Sequence, residues 1–425
     1  MTERMLRSRS QATRRPHFHR PHFHRPPAHL IPATWHARYR LTPWWGKVIA
    51  VWALSHVVTT SLVVILASVQ GPNAWTGASP KYTDFANMWD GNWYNIVAVV
   101  GYPSVLPVTE TGQVGENAWA FMPGYPVLAR LLMELTGFTW APVAVFVSVV
   151  FSLGTALLFY RLMARVQSPA TALFAVVLFC VAPLSPLLQF AYAESMYLFF
   201  LTLALYLLLE RHYWLLFPVI AVMALTRPSG LAFALALGLH VIYRFVTRGR
   251  DPFAPRERML AASVTLFSAL LGLVWPLAAW AVTGDLMAYT DTELAWRAPY
   301  IGYQELVPFT AWFQSGVWWL GSPLGIVVVT ALILAFALLL FTPAVRRLGV
   351  DLRLWLASYA LYLLAVFFPQ SSTFRLLMPM FPLLGAAAMP RNRAYRVAIV
   401  LVCAAGQWGW LLICWGVDGY DWTPP

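Results

Sequence analysis

Residues 47–69 read KVIAVWALSHVVTTSLVVILASV, and shortly after them residues 81–103 read KYTDFANMWDGNWYNIVAVVGYP. The first stretch is more than twenty residues of nearly uninterrupted apolar side chain, the length at which an α-helix crosses a bilayer. The second sets two aspartates, Asp84 and Asp90, among Trp89, Trp93 and Tyr94 directly beyond the end of that span. A membrane helix followed by a charged, aromatic loop reads as a protein that keeps polar chemistry at the bilayer boundary.

The pattern of the first stretch recurs along the chain. Hydrophobic residues make up 60% of the 425 and charged residues 11%, too few to cover a soluble domain of this size, so the chain reads as an all-α, polytopic membrane protein. Apolar runs predict eleven spans, at about 47 to 69, 141 to 164, 168 to 187, 193 to 209, 213 to 226, 230 to 245, 259 to 282, 322 to 343, 354 to 369, 372 to 388 and 397 to 416. Threading them with the amino terminus in the cytoplasm puts most of the 29 basic residues on the inner side; only Lys81, Arg130, Arg227, Arg297 and Arg375 fall outside. That asymmetry is the positive-inside pattern, and it places the carboxy terminus outside a plasma membrane. Cys180, Cys403 and Cys414 lie inside apolar segments and read as small buried residues. No nucleic-acid partner is expected.

Residues 1–46 are a different material. The tandem PHFHR repeat in RRPHFHRPHFHRPP, proline-broken and studded with arginine, predicts a disordered basic cytoplasmic tail preceding a membrane domain at 47–425. His17, His19, His22 and His24 are spaced closely enough to bind a transition metal, but the plainer reading is a low-complexity segment lying on anionic headgroups.

Two outer segments, 70–140 and 283–321, are too long to be simple connections, and such loops usually carry function. Within the first, FMPGYPVLARLLMELTGF has helical periodicity and reads as an interfacial helix, because a span there would invert every later loop. Glu194 in AYAES, Arg227 in LTRPSG and Arg375 in SSTFRLLMP then all fall at outer helix ends, where unpaired charge is costly. Arginines at a lipid boundary suit a phosphate, whose two oxygens match the guanidinium fork. Trp89, Trp93, Tyr94, Trp119 and Trp296 have faces that stack on sugars, although aromatic residues gather at any membrane interface as anchors.

The segments WDGNWYNIVAVVGY, ENAWAFMPGYPVLARLL, APLSPLLQFAYAESMYLFF, ALTRPSGL, TGDLMAYTDTELAW and STFRLLMPMFPLL, in that order between roughly residues 84 and 385, resemble successive motifs of the PIG-V family. That family is the second mannosyltransferase of GPI-anchor synthesis, within the GT-C superfamily. The resemblance implies a GT-C fold with an early non-cytoplasmic loop carrying the catalytic acid. It also implies transfer of mannose from a polyprenyl-phosphate-mannose donor to a lipid-linked acceptor. A bias toward arginine over lysine points to a bacterial member, for which a phosphatidylinositol mannoside, another glycolipid, a polyprenyl-linked glycan or a protein stay open as acceptors.

The resemblance implies a β-linked donor and an α-linked product, which requires inversion in one displacement, with one base and positive groups for the leaving phosphate. Asp90 is the expected base and Asp84 the second choice; the plain alternative for Asp90 is an acidic helix start. Arg375 and Arg227 are expected on the donor phosphate. Glu194 is expected to position Arg227 or the acceptor, and Asp285 and Trp296 to shape the pocket. Asp84 and Asp90 form no DxD pair, so no metal and no cofactor is inferred. Two other classes fit a membrane protein with outward charges: a flippase of lipid-linked sugars and an inactive subunit of a glycan-assembly complex. A flippase would carry midplane charges and internal repeats, and neither is visible beyond PHFHR.

Overall fold

The computed structural model describes residues 40–417 and 423–425, so the PHFHR tail and its histidines lie outside the described residues. Residues Trp44–Pro425 form one compact unit. Its helices in chain order are α1 (Trp44–Val69), α2 (Tyr82–Ala86), α3 (Asp90–Val99), α4 (Gly124–Thr136), α5 (Trp140–Val166), α6 (Pro169–Val181), α7 (Glu194–Leu209), α8 (Tyr213–Thr226), α9 (Gly230–Val246) and α10 (Pro255–Thr283). There follow α11 (Ala288–Ala295), α12 (Ala298–Ile301), α13 (Ala311–Leu320), α14 (Leu324–Leu339), α15 (Pro343–Arg346), α16 (Val350–Val366), α17 (Thr373–Leu376), α18 (Leu383–Ala387) and α19 (Arg393–Cys414). Among the described residues there is no strand, only an isolated bridge between Val108 and Val114.

Four helices, α1, α5, α10 and α19, are long and apolar enough to cross a membrane, and α6, α7, α8, α9 and α14 are shorter apolar helices. Leu266, Leu270, Leu273 and Leu277 make an exposed stripe along α10 at helical spacing, and Val397, Leu401 and Val402 are exposed on α19. Apolar side chains in these numbers on an outer surface belong against lipid. The protein is a multi-pass membrane protein.

Ten of the eleven predicted spans coincide with a helix. The exception is 372–388, which is not one helix: α17 gives way to a 3-10 turn at Met378–Met380 and then to α18. Pro379 and Pro382 lack the N–H donors a continuous helix needs and break it there. The predicted 168–187 span likewise stops at Val181, two residues before Pro183, and continues as a 3-10 turn at Ser185–Gln189. The predicted interfacial helix is α4, whose 13 residues extend about 20 Å, less than a bilayer core. Its Arg130 and Glu134 form an exposed i,i+4 pair at 2.9 Å.

The core is built by α5, α6, α7, α8, α9 and α16, with α9 packed on α10 and α16, and α7 packed on α5 and α8. The two long segments, 70–139 and 284–323, cover one end of this bundle and are tied together. Asn117 donates to Thr292 Oγ1 at 2.8 Å, and Trp93 meets Trp296 edge-on with ring centroids 5.6 Å apart. At the opposite ends of α8, α9 and α10 a second polar cluster closes the bundle. Arg244 donates to Glu257, to the Tyr213 hydroxyl at 3.1 Å and to the Pro252 carbonyl at 2.8 Å.

Candidate active site

Each functional side chain is placed by a local break in helix geometry. Pro228 forces the residue before it out of helical conformation, so α8 ends at Thr226 and Arg227 is extended, at φ −151° and ψ 149°. Its side chain reaches α7, where Nη1 donates to Glu194 Oε1 at 2.6 Å. Glu194 is the first residue of α7, a position the helix dipole favours for negative charge.

Arg375 is held by the proline-broken segment. The Tyr359 hydroxyl donates to Leu376 O at 2.8 Å and the Trp355 indole to Pro379 O at 2.9 Å, so two α16 side chains satisfy carbonyls that a continuous helix would have used. Arg375 Nη1 donates to Asp90 Oδ2, and its Nε lies 3.7 Å from Glu194 Oε1. Its guanidinium lies 5.7 Å from the centre of the Tyr192 ring.

Asp90 opens α3 but does not cap it. Its carboxylate turns to Arg375, while its backbone N–H donates to the Tyr192 hydroxyl at 3.2 Å. The residue before it, Trp89, sits at φ 60°, a conformation that costs a non-glycine residue about 1–3 kcal/mol unless its surroundings enforce it. They do: the Trp89 indole is buried and donates to Cys414 O at 2.7 Å, and the adjoining turn is fixed through Asn87 Oδ1, which accepts from the Trp140 indole at 2.6 Å.

Asp90, Glu194, Arg227 and Arg375 thus make an alternating quartet of two carboxylates and two guanidiniums, joining the first outer segment to three bundle elements. Glu194 Oε2 and Arg375 Nε are buried without a hydrogen-bond partner, so the quartet retains an open acceptor and an open donor. It borders a cavity of ≈ 370 Å³ lined also by Tyr94, Phe121, Tyr289, Trp296 and Tyr362. The lining extends to Leu231 on α9 and Leu273 on α10, both exposed apolar residues, so the cavity reaches the lipid-facing surface.

Of the residues the sequence singled out, Asp90, Arg227, Arg375, Tyr94 and Trp296 line this cavity, and Glu194 sits directly behind it. The others do not. Asp84 is exposed on α2, and Asp285 makes a turn by accepting from the Met287 N–H at 2.8 Å. Trp89 is a packing residue, and Trp93 stacks on the cavity residue Phe121 with ring centroids 5.5 Å apart. Sequence reasoning missed Tyr192, Tyr289 and Glu293. For the last two a signal existed: Tyr289, Glu293 and Trp296 are spaced i, i+4, i+7 and so share one face of α11.

No protein-family model matches the chain, and no curated protein matches it in sequence. In fold it is similar to solved structures of an oligosaccharyltransferase from the archaeon Archaeoglobus fulgidus. One, the enzyme AglB in complex with an inhibitory peptide and a dolichol-phosphate, aligns at a TM-score of 0.44 and 14% identity over 89% of this chain and 56% of that one. Another, tethered to an acceptor peptide containing the NVT sequon, aligns at a TM-score of 0.42 and 12% identity over 88% and 54%. This chain therefore spans about half the length of the structures it matches.

Proposed function

We propose that the protein is a GT-C-type membrane glycosyltransferase that moves mannose from a polyprenyl-phosphate-mannose donor to a lipid-linked acceptor at the outer face of the plasma membrane. The observation that carries this reading is the contact between Asp90 and Arg375, 285 residues apart, at the edge of a cavity that reaches the lipid-facing surface. This contact supports a reading in which Asp90 is the base and Arg375 the phosphate-binding cation, side by side where a lipid-linked donor can enter.

In this mechanism the donor phosphate takes Arg375 and Arg227 as partners, with Glu194 aligning both guanidiniums. Arg375, engaged by phosphate, releases Asp90. The acceptor hydroxyl attacks the anomeric carbon from the face opposite the phosphate, the bond from carbon to phosphate oxygen breaks, and Asp90 takes the hydroxyl proton. The product is an α-mannoside and a free polyprenyl phosphate. The polyprenyl chain lies toward Leu231 and Leu273, in the apolar part of the cavity lining.

Purified protein in lipid nanodiscs, given radiolabelled polyprenyl-phosphate-mannose and total membrane lipid, is expected to form a new mannolipid. Failure to transfer any polyprenyl-phosphate-linked hexose would remove the proposal, as would transfer from GDP-mannose alone.

A further inference from the structure

The cavity also carries polar side chains that take no part in the ion pairs of the quartet. Tyr289, Glu293 and Trp296 all face the cavity from α11, on the side formed by the second outer segment. The ion pairs among the cavity residues all belong to the quartet. Arg297, one turn after Glu293, is directed elsewhere: its Nη2 donates to Val366 O at 3.0 Å. Glu293 interacts with the Tyr289 hydroxyl and, at longer range, with the charges of Arg297 and Arg227, without a direct ion pair to either, and the Trp296 indole N–H is buried with no partner. α11 is held rigidly behind these groups by the Asn117–Thr292 hydrogen bond.

A phenol, an indole N–H and a carboxyl outside any ion pair are the equipment for a neutral polyol rather than an anion. Burial pushes the Glu293 carboxyl up, and its two oxygens can accept from a pair of adjacent sugar hydroxyls beside the Tyr289 hydroxyl and the Trp296 N–H. Trp296 adds a free donor and an aromatic face.

We infer that Glu293, with Tyr289 and Trp296, forms the acceptor subsite and binds the terminal sugar of a glycosylated acceptor through its hydroxyls. This rests on the glycosyltransferase reading and deepens it: the acceptor carries a neutral hexose, and its reacting hydroxyl lies in the one cavity that both Asp90 and Glu293 line.

Binding alone tests it, independently of transfer. Titrating the nanodisc-embedded protein with octyl α-mannoside, and separately with farnesyl phosphate, is expected to show saturable binding of both. Glu293→Ala is expected to weaken the mannoside at least roughly tenfold, the scale of one or two lost hydrogen bonds, and to leave farnesyl phosphate within about twofold. Glu293→Gln, which keeps an acceptor oxygen at the same place, is expected to stay within about threefold of wild type for both. Arg375→Ala should show the reverse selectivity. Wild-type protein that does not bind the mannoside overturns the inference. So does mannoside binding unchanged in Glu293→Ala, or an equal loss of both ligands in the two Glu293 variants. A protein that transfers no sugar but shows this selectivity would remove the proposed reaction and keep the subsite.

Discussion

Replacing Asp90 by asparagine removes the proton acceptor while keeping its size and one hydrogen-bond acceptor for Arg375. The structure sets the two consequences apart. Asp90 and Arg375 have side chains 16% and 11% exposed, and breaking a fully buried pair by deleting one partner costs about 3–5 kcal/mol. Here asparagine Oδ1 can still accept from Arg375, Glu194 remains 3.7 Å away as a counter-charge, and the cavity admits solvent, so the folding cost should be nearer 1–2 kcal/mol, the difference between a charged and a neutral hydrogen bond. The quartet, neutral in sum, becomes positive by one, so polyprenyl phosphate should bind at least as tightly as before. Transfer should nevertheless fall at least roughly a hundredfold, the scale of a lost general base. The assay is mannolipid formation at saturating donor beside direct titration with farnesyl phosphate. Near wild-type transfer by Asp90→Asn would refute the mechanism. Loss of activity in Asp84→Asn with Asp90→Asn active would move the base to Asp84, which the structure places on the exposed surface of α2.

Arg375→Lys should lower kcat/KM at least roughly tenfold, because a point charge cannot span Asp90, Glu194 and a phosphate as the planar fork does; wild-type values would return Arg375 to a structural role. Arg244→Ala, which strips the buried partner from Glu257 and Tyr213 at the far end of the bundle, should destabilise by about 3–5 kcal/mol, read as a lower melting temperature in detergent, while properly folded protein keeps its affinity for farnesyl phosphate. Cysteines introduced at Gly249 and Glu305 test topology: an impermeant thiol reagent applied to intact cells should label position 305 and spare 249, and the opposite pattern would invert the bundle.

Much of this site was legible because its residues are breaches of the local rules that surround them. Arg227 interrupts an apolar run one residue before a proline, and Arg375 precedes MPMFP; a charge beside a helix break at a membrane boundary has few purely structural readings. The pairing was not legible. Nothing in WDGNWY says that Asp90 will turn from its own helix start to an arginine 285 residues on, since that contact is set by how the Trp89 indole docks on Cys414 O and how α17 is pinned to α16. The same limit applies to the aromatics: Trp89 and Trp296 look alike in sequence, yet one indole donates to a backbone carbonyl in the packing and the other lines the cavity with its N–H unpartnered.

Glu293 shows the converse. In AYTDTELAW its spacing from Tyr289 and Trp296 marks a shared face, but only the placement of α11 against the bundle turns that face inward, while Asp291, two residues away, is not among the cavity residues. A charge visible at a helix end therefore marks the part of the cavity proposed to take phosphate, because phosphate needs permanent cations that leave a mark in an apolar sequence. The part assigned to sugar needs neutral donors and acceptors, which leave no such mark. On the proposed function, the donor's charge is written in the sequence and the acceptor's identity in the packing.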